Sequence, residues 1–317
     1  MRFLYIFLAL AAASFNASPA RAQEYPNKLV RIITSEPGGP SDIIARIVAQ
    51  GISESLGQSV IVDNRTGIIA AEAAAKSPPD GYTLLFYGPT LWLMPYLRTS
   101  VAWDLVKDFS PVIWATRSPN ILVIHPSIPA KSVSELIALA KAKPGTMNFS
   151  TGATGSSNQL AAELFKSMAI INILRVPYKG TSPAVNAVVG GQVQLMFPDV
   201  GVALPIVKSG RLTALAVTSA APSPLAPGIP TIAASGLPGY ESEALFGMFA
   251  PAKTPVAIIN RLNEEAAKVL SRPAVKERFF SVGVEPVAGT PVEFANKLKV
   301  EMSKWGKVIK DAGIHED

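Results

Sequence analysis

Apolar positions along this chain switch between short β-branched runs and helical spacing. Residues 29–34 (Leu29-Val30-Arg31-Ile32-Ile33-Thr34) predict a strand, and Ile44, Ile47, Val48, Ile52 and Leu56 then fall on one face of a helix over 43–56. Between them lies a polar, glycine-bearing loop, Ser35-Glu36-Pro37-Gly38-Gly39-Pro40-Ser41-Asp42. The design recurs downstream. Met147 and Phe149 lead into Ser150-Thr151-Gly152-Ala153-Thr154-Gly155-Ser156-Ser157, and after Asn158 the residues Leu160, Ala161, Leu164, Phe165 and Met168 make one helical face. Ser156 or Ser157 is a natural N-cap. A strand, a small-residue loop and a helix start aim unpaired N–H groups and the positive helix end at one point. Such a point suits a carboxylate or another small anion, although one copy alone equally fits an ordinary strand-to-helix loop. Two copies suggest two domains facing each other across a cleft.

The alternation continues in order. Strands at 60–62, 82–86 and 112–115, with short helices at 72–76 and 91–97, imply a mainly parallel sheet covered by helices. A second series starts near Asn120 with a strand at 121–124. Ser132 to Glu135 is a capping box opening a helix that Pro144-Gly145 closes. Beyond the 147–168 unit, the loop from Val176 through Tyr178, Lys179 and Gly180 leads into a helix that Gly190-Gly191 ends, with Pro183 well placed for its first turn. A strand at 193–197, a helix at 205–208 and a strand at 212–217 follow. Pro222 to Pro230 reads as a connector. The remainder predicts a strand at 245–250, helices from Thr254-Pro255 to Leu270 and over 273–281, and a long final helix opened by the capping box Thr290 to Glu293. A return to the first domain, through crossings near Asn120 and Ser219, is one arrangement this pattern allows.

The first residues change the picture of where the protein works. Arg2, the apolar run from Phe3 to Ala13 and Ala20-Arg21-Ala22 fit a secretory leader cleaved after Ala22. The run is too short for a comfortable membrane span, and no later segment offers one, so a soluble, exported mature chain is expected. Losing Arg2 and Arg21 lowers the net charge from +6 to +4. That favours anionic ligands in general but is no nucleic-acid footprint. With no cysteine, disulfides, thiolate metal sites and a Cys nucleophile are excluded.

Catalytic chemistry finds little support. The only histidines are His125 and His315, no G-x-S-x-G elbow occurs, and no His/Asp/Glu cluster has metal-ligand spacing. The Gly152–Ser156 loop lacks the lysine of a P-loop and matches no dinucleotide fingerprint. Asp199, directly after a predicted strand, either faces the cleft or stabilises a helix N-terminus. Tyr178 and Lys179 could reach a ligand, though a loop lysine is ordinarily solvated. Tyr87, Thr90 and Trp92 follow a strand and could line the first domain's wall, with core packing the simpler role for Trp92.

In this order, Tyr25-Pro26, Pro37-Gly38-Gly39-Pro40-Ser41-Asp42, Val62-Asp63-Asn64-Arg65, Pro79-Asp80-Gly81-Tyr82-Thr83-Leu84, Lys107-Asp108-Phe109, Val176-Pro177-Tyr178-Lys179-Gly180, Gly190-Gly191-Gln192-Val193, Leu215-Ala216-Val217-Thr218-Ser219, Pro230-Thr231 and Ala250-Pro251-Ala252-Lys253-Thr254-Pro255 span the mature chain. Together they resemble the extracytoplasmic receptors of the tripartite tricarboxylate transporter family, the TctC or Bug receptors. The resemblance implies an α/β, two-domain periplasmic binding protein fold (type II, Venus flytrap) with two crossovers: domain 1 over 23–119 plus 220–317, domain 2 over 120–219. It implies a monomer that is not an enzyme, uses no cofactor, metal or nucleic acid, binds a small organic carboxylate and meets transporter membrane subunits transiently. An exported subunit presenting a carboxylate or amino acid to a signalling sensor is the alternative. By this resemblance the ligand is held by amides, hydroxyls and waters of the loops Ser35–Asp42 and Ser150–Ser157. Three departures stand out: Ser35-Glu36 where apolar residues are usual, the run Arg65-Thr66-Gly67-Ile68-Ile69-Ala70 in place of a glycine-rich one, and Leu245 in place of an aromatic. Glu36 then either points to solvent or meets an amino or hydroxyl group on the ligand.

Overall fold

Period-two alternation along β1 (Val30–Thr34) sends Val30 and Ile32 into one core and Ile33 into another. β3 (Thr83–Tyr87) repeats the division, Leu84 and Phe86 against Leu85 and Tyr87. The chain is seen here as a computed structural model describing residues 25–65 and 68–316. The expected leader and the Thr66-Gly67 pair lie outside the described residues.

Numbered in chain order, the strands form two sheets. The first holds β1, β2 (Val60–Asn64), β3, β4 (Phe109–Pro119), β10 (Glu243–Pro251) and β11 (Glu285–Gly289), in the order β11-β4-β10-β3-β1-β2. Helices α1 (Pro40–Leu56) and α9 (Val256–Ser271) cover one face. The other is covered by α2 (Ile68–Ala75), α3 (Thr90–Leu97) and α11 (Pro291–Asp311). The second sheet holds β5 (Ile121–Ile124), β6 (Asn148–Thr151), β7 (Leu174–Pro177), β8 (Leu195–Met196) and β9 (Thr213–Val217), in the order β7-β6-β8-β5-β9. Leu122, Ile124 and Phe149 pack towards α5 (Val133–Ala142) and α6 (Ser157–Ala169). Ile121 and Val123 pack towards α7 (Thr181–Val189) and α8 (Val200–Lys208).

The mainly parallel sheet expected from the sequence is corrected to a mixed one. β1 runs parallel to β2 and β3, but β10 is antiparallel to both β3 and β4, and β11 is antiparallel to β4. Connectivity is the reason. A strand arriving from the other sheet is not bound by the right-handed βαβ crossover that enforces parallel neighbours. Other boundaries move too. The strand expected over 193–197 shrinks to Leu195–Met196, while α2 starts at Ile68 and α8 at Val200, each four or more residues early. Pro205 inside α8 reads in sequence as a helix start. Four elements were not anticipated: α4 (Leu105–Asp108), a 3-10 turn at Ala233–Ser235, and the edge strands β7 and β11, whose mixed exposure and proline content hide any alternation. The remaining short helix, α10 (Pro273–Ser281), lies where expected.

The chain leaves the first sheet at Pro119 and enters the second at Ile121, so Asn120 alone makes the outward crossing. The inward crossing ends where Glu243 pairs with Pro119. Thr218 ties the two together: its Oγ1 accepts from the Asn120 N–H at 2.7 Å, and its N–H donates to the Asn120 carbonyl at 2.9 Å. The Ser242 N–H closes the set on the Thr218 carbonyl at 2.9 Å. A charged cluster sits beside these crossings. The Arg117 guanidinium donates to Glu285 from Nε at 3.0 Å and reaches it with Nη2 at 2.9 Å, leaving Glu243 Oε1 3.8 Å from Nε. The Ser223 hydroxyl also donates to Glu285. Glu243 is buried, its Oε1 has no hydrogen-bond partner, and burial pushes its carboxyl up to about 7.

Candidate ligand-binding site

A cavity of about 870 Å³ opens between the two sheets, at the carboxyl ends of β1, β3 and β6. Five helix starts border it: Gly39, Pro40 and Ser41 of α1; Pro89 and Thr90 of α3; Ser156, Ser157 and Asn158 of α6; Thr181 of α7; and Asp199, Gly201 and Val202 of α8. First-turn N–H groups ordinarily lack an intrahelical acceptor, although those of Leu91 and Trp92 in α3 bond the Gly88 and Pro89 carbonyls and that of Val202 in α8 bonds the Asp199 carbonyl, and each helix adds a partial positive charge there. Met94, Val202, Phe246, Val282 and Val284 supply apolar wall. The two lobes also touch directly near the cavity: a Cβ on Gly201 of α8 would lie 3.2 Å from the Cα of Gly283, in the turn before β11, an approach only glycines permit.

The first loop is shaped by Asp42. Its carboxylate accepts from the Gly38 N–H at 2.9 Å and from Asn64 Nδ2 at 2.7 Å, and Arg46 Nε lies 2.9 Å away. Burial works to raise the Asp42 carboxyl, but these partners outweigh it and hold it below the usual carboxylate range. Asn64 also donates to the Ser35 carbonyl at 2.7 Å. Asp42 and Gly38 therefore fix the loop's shape and do not line the cavity, whereas Ser35, Glu36, Gly39 and Ser41 do. Glu36 is exposed on that lining. Burial, then the Glu36 charge, pushes the nearby Tyr87 hydroxyl up to about 12.

The second loop is organised by Asn158. Its Oδ1 accepts from the Gly152 N–H at 3.0 Å and from Ser156 Oγ at 2.8 Å, while Nδ2 approaches Thr181 Oγ1 at 3.4 Å. Ser156 is thus the N-cap by position, but its hydroxyl bonds Asn158 and caps no helical N–H. Gly155 holds φ +74, and its added Cβ would meet Leu97 Cδ1 at 2.7 Å, so this loop lies against the end of α3. Of the predicted residues here, Gly155, Ser156 and Asn158 line the cavity. Ser150, Thr151, Gly152, Ala153 and Thr154 do not. The Ser150 hydroxyl donates to the Ala184 carbonyl at 2.9 Å, and Thr151 and Thr154 turn to Arg175, at 2.9 and 3.5 Å.

Tyr87, Thr90 and Asp199 line the cavity, while Tyr178, Lys179 and Gly180 do not. The Tyr178 N–H bonds the Thr151 carbonyl at 2.9 Å, Lys179 is exposed, and the next residue after Gly180, Thr181, reaches the lining instead. Trp92 is core. Asp199 caps α8 by position without a side-chain bond to it, and its enclosure beside the cleft raises its carboxyl. Sequence reasoning missed Arg98. Thr90, Met94 and Arg98 lie at i, i+4 and i+8 on α3 and its C-cap, a stripe that could have been found from Thr90. The Pro183 first-turn signal likewise pointed at Thr181.

Two α/β lobes joined by two crossovers, with a cleft at helix N-termini, define a periplasmic binding protein fold. The profile described as "Tripartite tricarboxylate transporter family receptor" matches residues 44–314. Protein BugT of Bordetella pertussis is 36% identical over 318 residues, covering 97% of this chain and 95% of its own length. A solved R. palustris protein with adipate matches at 36% identity and a TM-score of 0.76, over 92% of this chain and 99% of that one. MatC from Rhodopseudomonas palustris with bound malate matches at 29% identity and a TM-score of 0.71, over 90% and 100%. The chain belongs to the tripartite tricarboxylate transporter receptor family, whose members are periplasmic solute receptors. Among the described residues no helix is long and apolar enough to cross a membrane.

Proposed function

We propose that this chain is an exported, monomeric, non-enzymatic receptor that binds one small organic carboxylate in the cavity between its lobes and delivers it to the membrane subunits of a tripartite transporter. The observation that carries the reading is the convergence of five helix N-termini on one cavity. Amide donors with fixed positive dipoles hold a carboxylate without moving, through charge-assisted bonds. The two solved relatives with adipate and malate support the same ligand class. In this reading the lobes, 23–119 with 220–317 and 120–219, close on the ligand about Asn120 and the connector, after a leader has been removed behind Ala22. Glu36 and Asp199 on the lining favour a carboxylate that also carries a hydroxyl or amino donor.

A thermal-shift screen of carboxylates, amino acids and aromatic acids on residues 23–317 tests this. Ligand that binds only the folded state stabilises it by about 2.7 kcal/mol at a hundredfold excess over its dissociation constant. If no acid shifts the melting curve while a sugar or a metal ion does, the reading fails.

A further inference from the structure

Among the described residues that line the cavity, Arg98 is the one cation. It stands just past the end of α3, one residue beyond Leu97, against which Gly155 of the second loop packs. Its Nε is buried and has no hydrogen-bond partner, and its Nη2 lies 3.6 Å from Glu316 Oε1. A guanidinium presents Nε–H and Nη–H as a fork that matches a carboxylate. Here that fork is only partly used. Glu316 is itself cavity lining, and its carboxylate belongs to the segment following α11. That segment is anchored two residues earlier by Ile314, which is buried and whose N–H bonds the Ile309 carbonyl at 3.0 Å. The Glu316 N–H then donates to the Leu97 carbonyl at 2.9 Å, which brings the side chain to Arg98.

We propose that Arg98 selects ligands bearing a second acidic group, and that Glu316 is an internal stand-in which such a ligand displaces. The inference rests on the carboxylate reading and adds to it the residue that tells a diacid from a monoacid. One feature supports displacement and a second sets how strongly a ligand must bind to achieve it. The Arg98–Glu316 pair is about one-third exposed on each side, 36% and 37%, and too long for a hydrogen bond, which places it among weak, screened ion pairs. The tether from Ile314 is short, so the internal carboxylate competes at high effective concentration until a ligand offers both oxygens to the fork. A monoacid held at the helix N-termini gains nothing from Arg98 and leaves Glu316 in place.

The test is calorimetric titration of residues 23–317 with succinate, glutarate, adipate, pimelate and suberate, each beside the monoacid of equal length. In the unaltered protein at least one diacid should outbind its monoacid. Arg98→Gln should erase that preference, bringing the diacid to the level of the monoacid. Glu316→Gln should tighten the preferred diacid by roughly two- to fivefold, the scale of removing one exposed ion pair, and move the monoacid less. An unchanged diacid-to-monoacid ratio in Arg98→Gln overturns the proposal while the carboxylate reading stands. Glu316→Gln serves as the second arm, and equal effects on diacid and monoacid there also overturn it. If neither diacids nor monoacids bind the unaltered protein, both readings fall together.

Discussion

Glu243→Gln tests the electrostatics of the crossings. Arg117 spends its fork on Glu285, so Glu243 keeps a buried carboxylate oxygen without a hydrogen bond, and its carboxyl rises from the ordinary 4.5 to about 7. The sign follows from linkage. A raised folded-state pKa contributes stability that is fully present below about pH 4.5 and is lost as pH rises through about 7. At about 1.36 kcal/mol per pKa unit, the loss at alkaline pH is on the order of 3 kcal/mol. Glutamine keeps the shape and removes the charge. Its amide still needs partners, so about 1–3 kcal/mol of stabilisation at alkaline pH is expected. Urea unfolding followed by tryptophan fluorescence, run on both proteins from about pH 5 to about pH 9, reads the effect. The curves should coincide at the acid end and diverge upward for the variant through neutrality. Parallel curves across the range would refute the assignment of this penalty to Glu243.

Four further substitutions separate loop architecture from ligand contact. Asn158→Ala strips partners from the Gly152 N–H and the Ser156 hydroxyl, so it should cost about 1–3 kcal/mol in urea unfolding and weaken ligand binding as well. Ser156→Ala should weaken carboxylate binding by roughly tenfold in calorimetry, whereas Thr154→Ala, whose hydroxyl faces Arg175 outside the cavity, should stay within about twofold. Glu36→Gln at low salt should tighten a plain diacid by about fivefold and weaken an amino-bearing analogue, both effects fading as salt is raised. Equal small changes on both ligands would make Glu36 a solvent charge only.

What could be read in the sequence follows physical locality. β1, α1 and the 147–168 unit were legible because strand alternation, a small-residue loop and an apolar helical face occur within twenty-odd consecutive positions. Both loops do supply lining residues, Ser35, Glu36, Gly39 and Ser41 from one and Gly155 and Ser156 from the other. Which members of a loop face the cavity was not legible. Asp42 is claimed by Arg46, Asn64 and Gly38, and Thr151 and Thr154 by Arg175 from β7, a strand that pattern alone did not reveal. Arg98 depends on three elements far apart in sequence, α3, the Gly155 loop and the segment after α11. The antiparallel course of β10 likewise comes from the return crossing, which no local pattern encodes.

The converging helix N-termini hold a small carboxylate by its charge. Calorimetric titration of residues 23–317 with each binding acid and with its neutral primary amide measures that directly. One site per chain is predicted, with the amide weaker by roughly thirtyfold or more, the scale of losing a charge-assisted hydrogen bond. Amides that bind as tightly as their parent acids would contradict it.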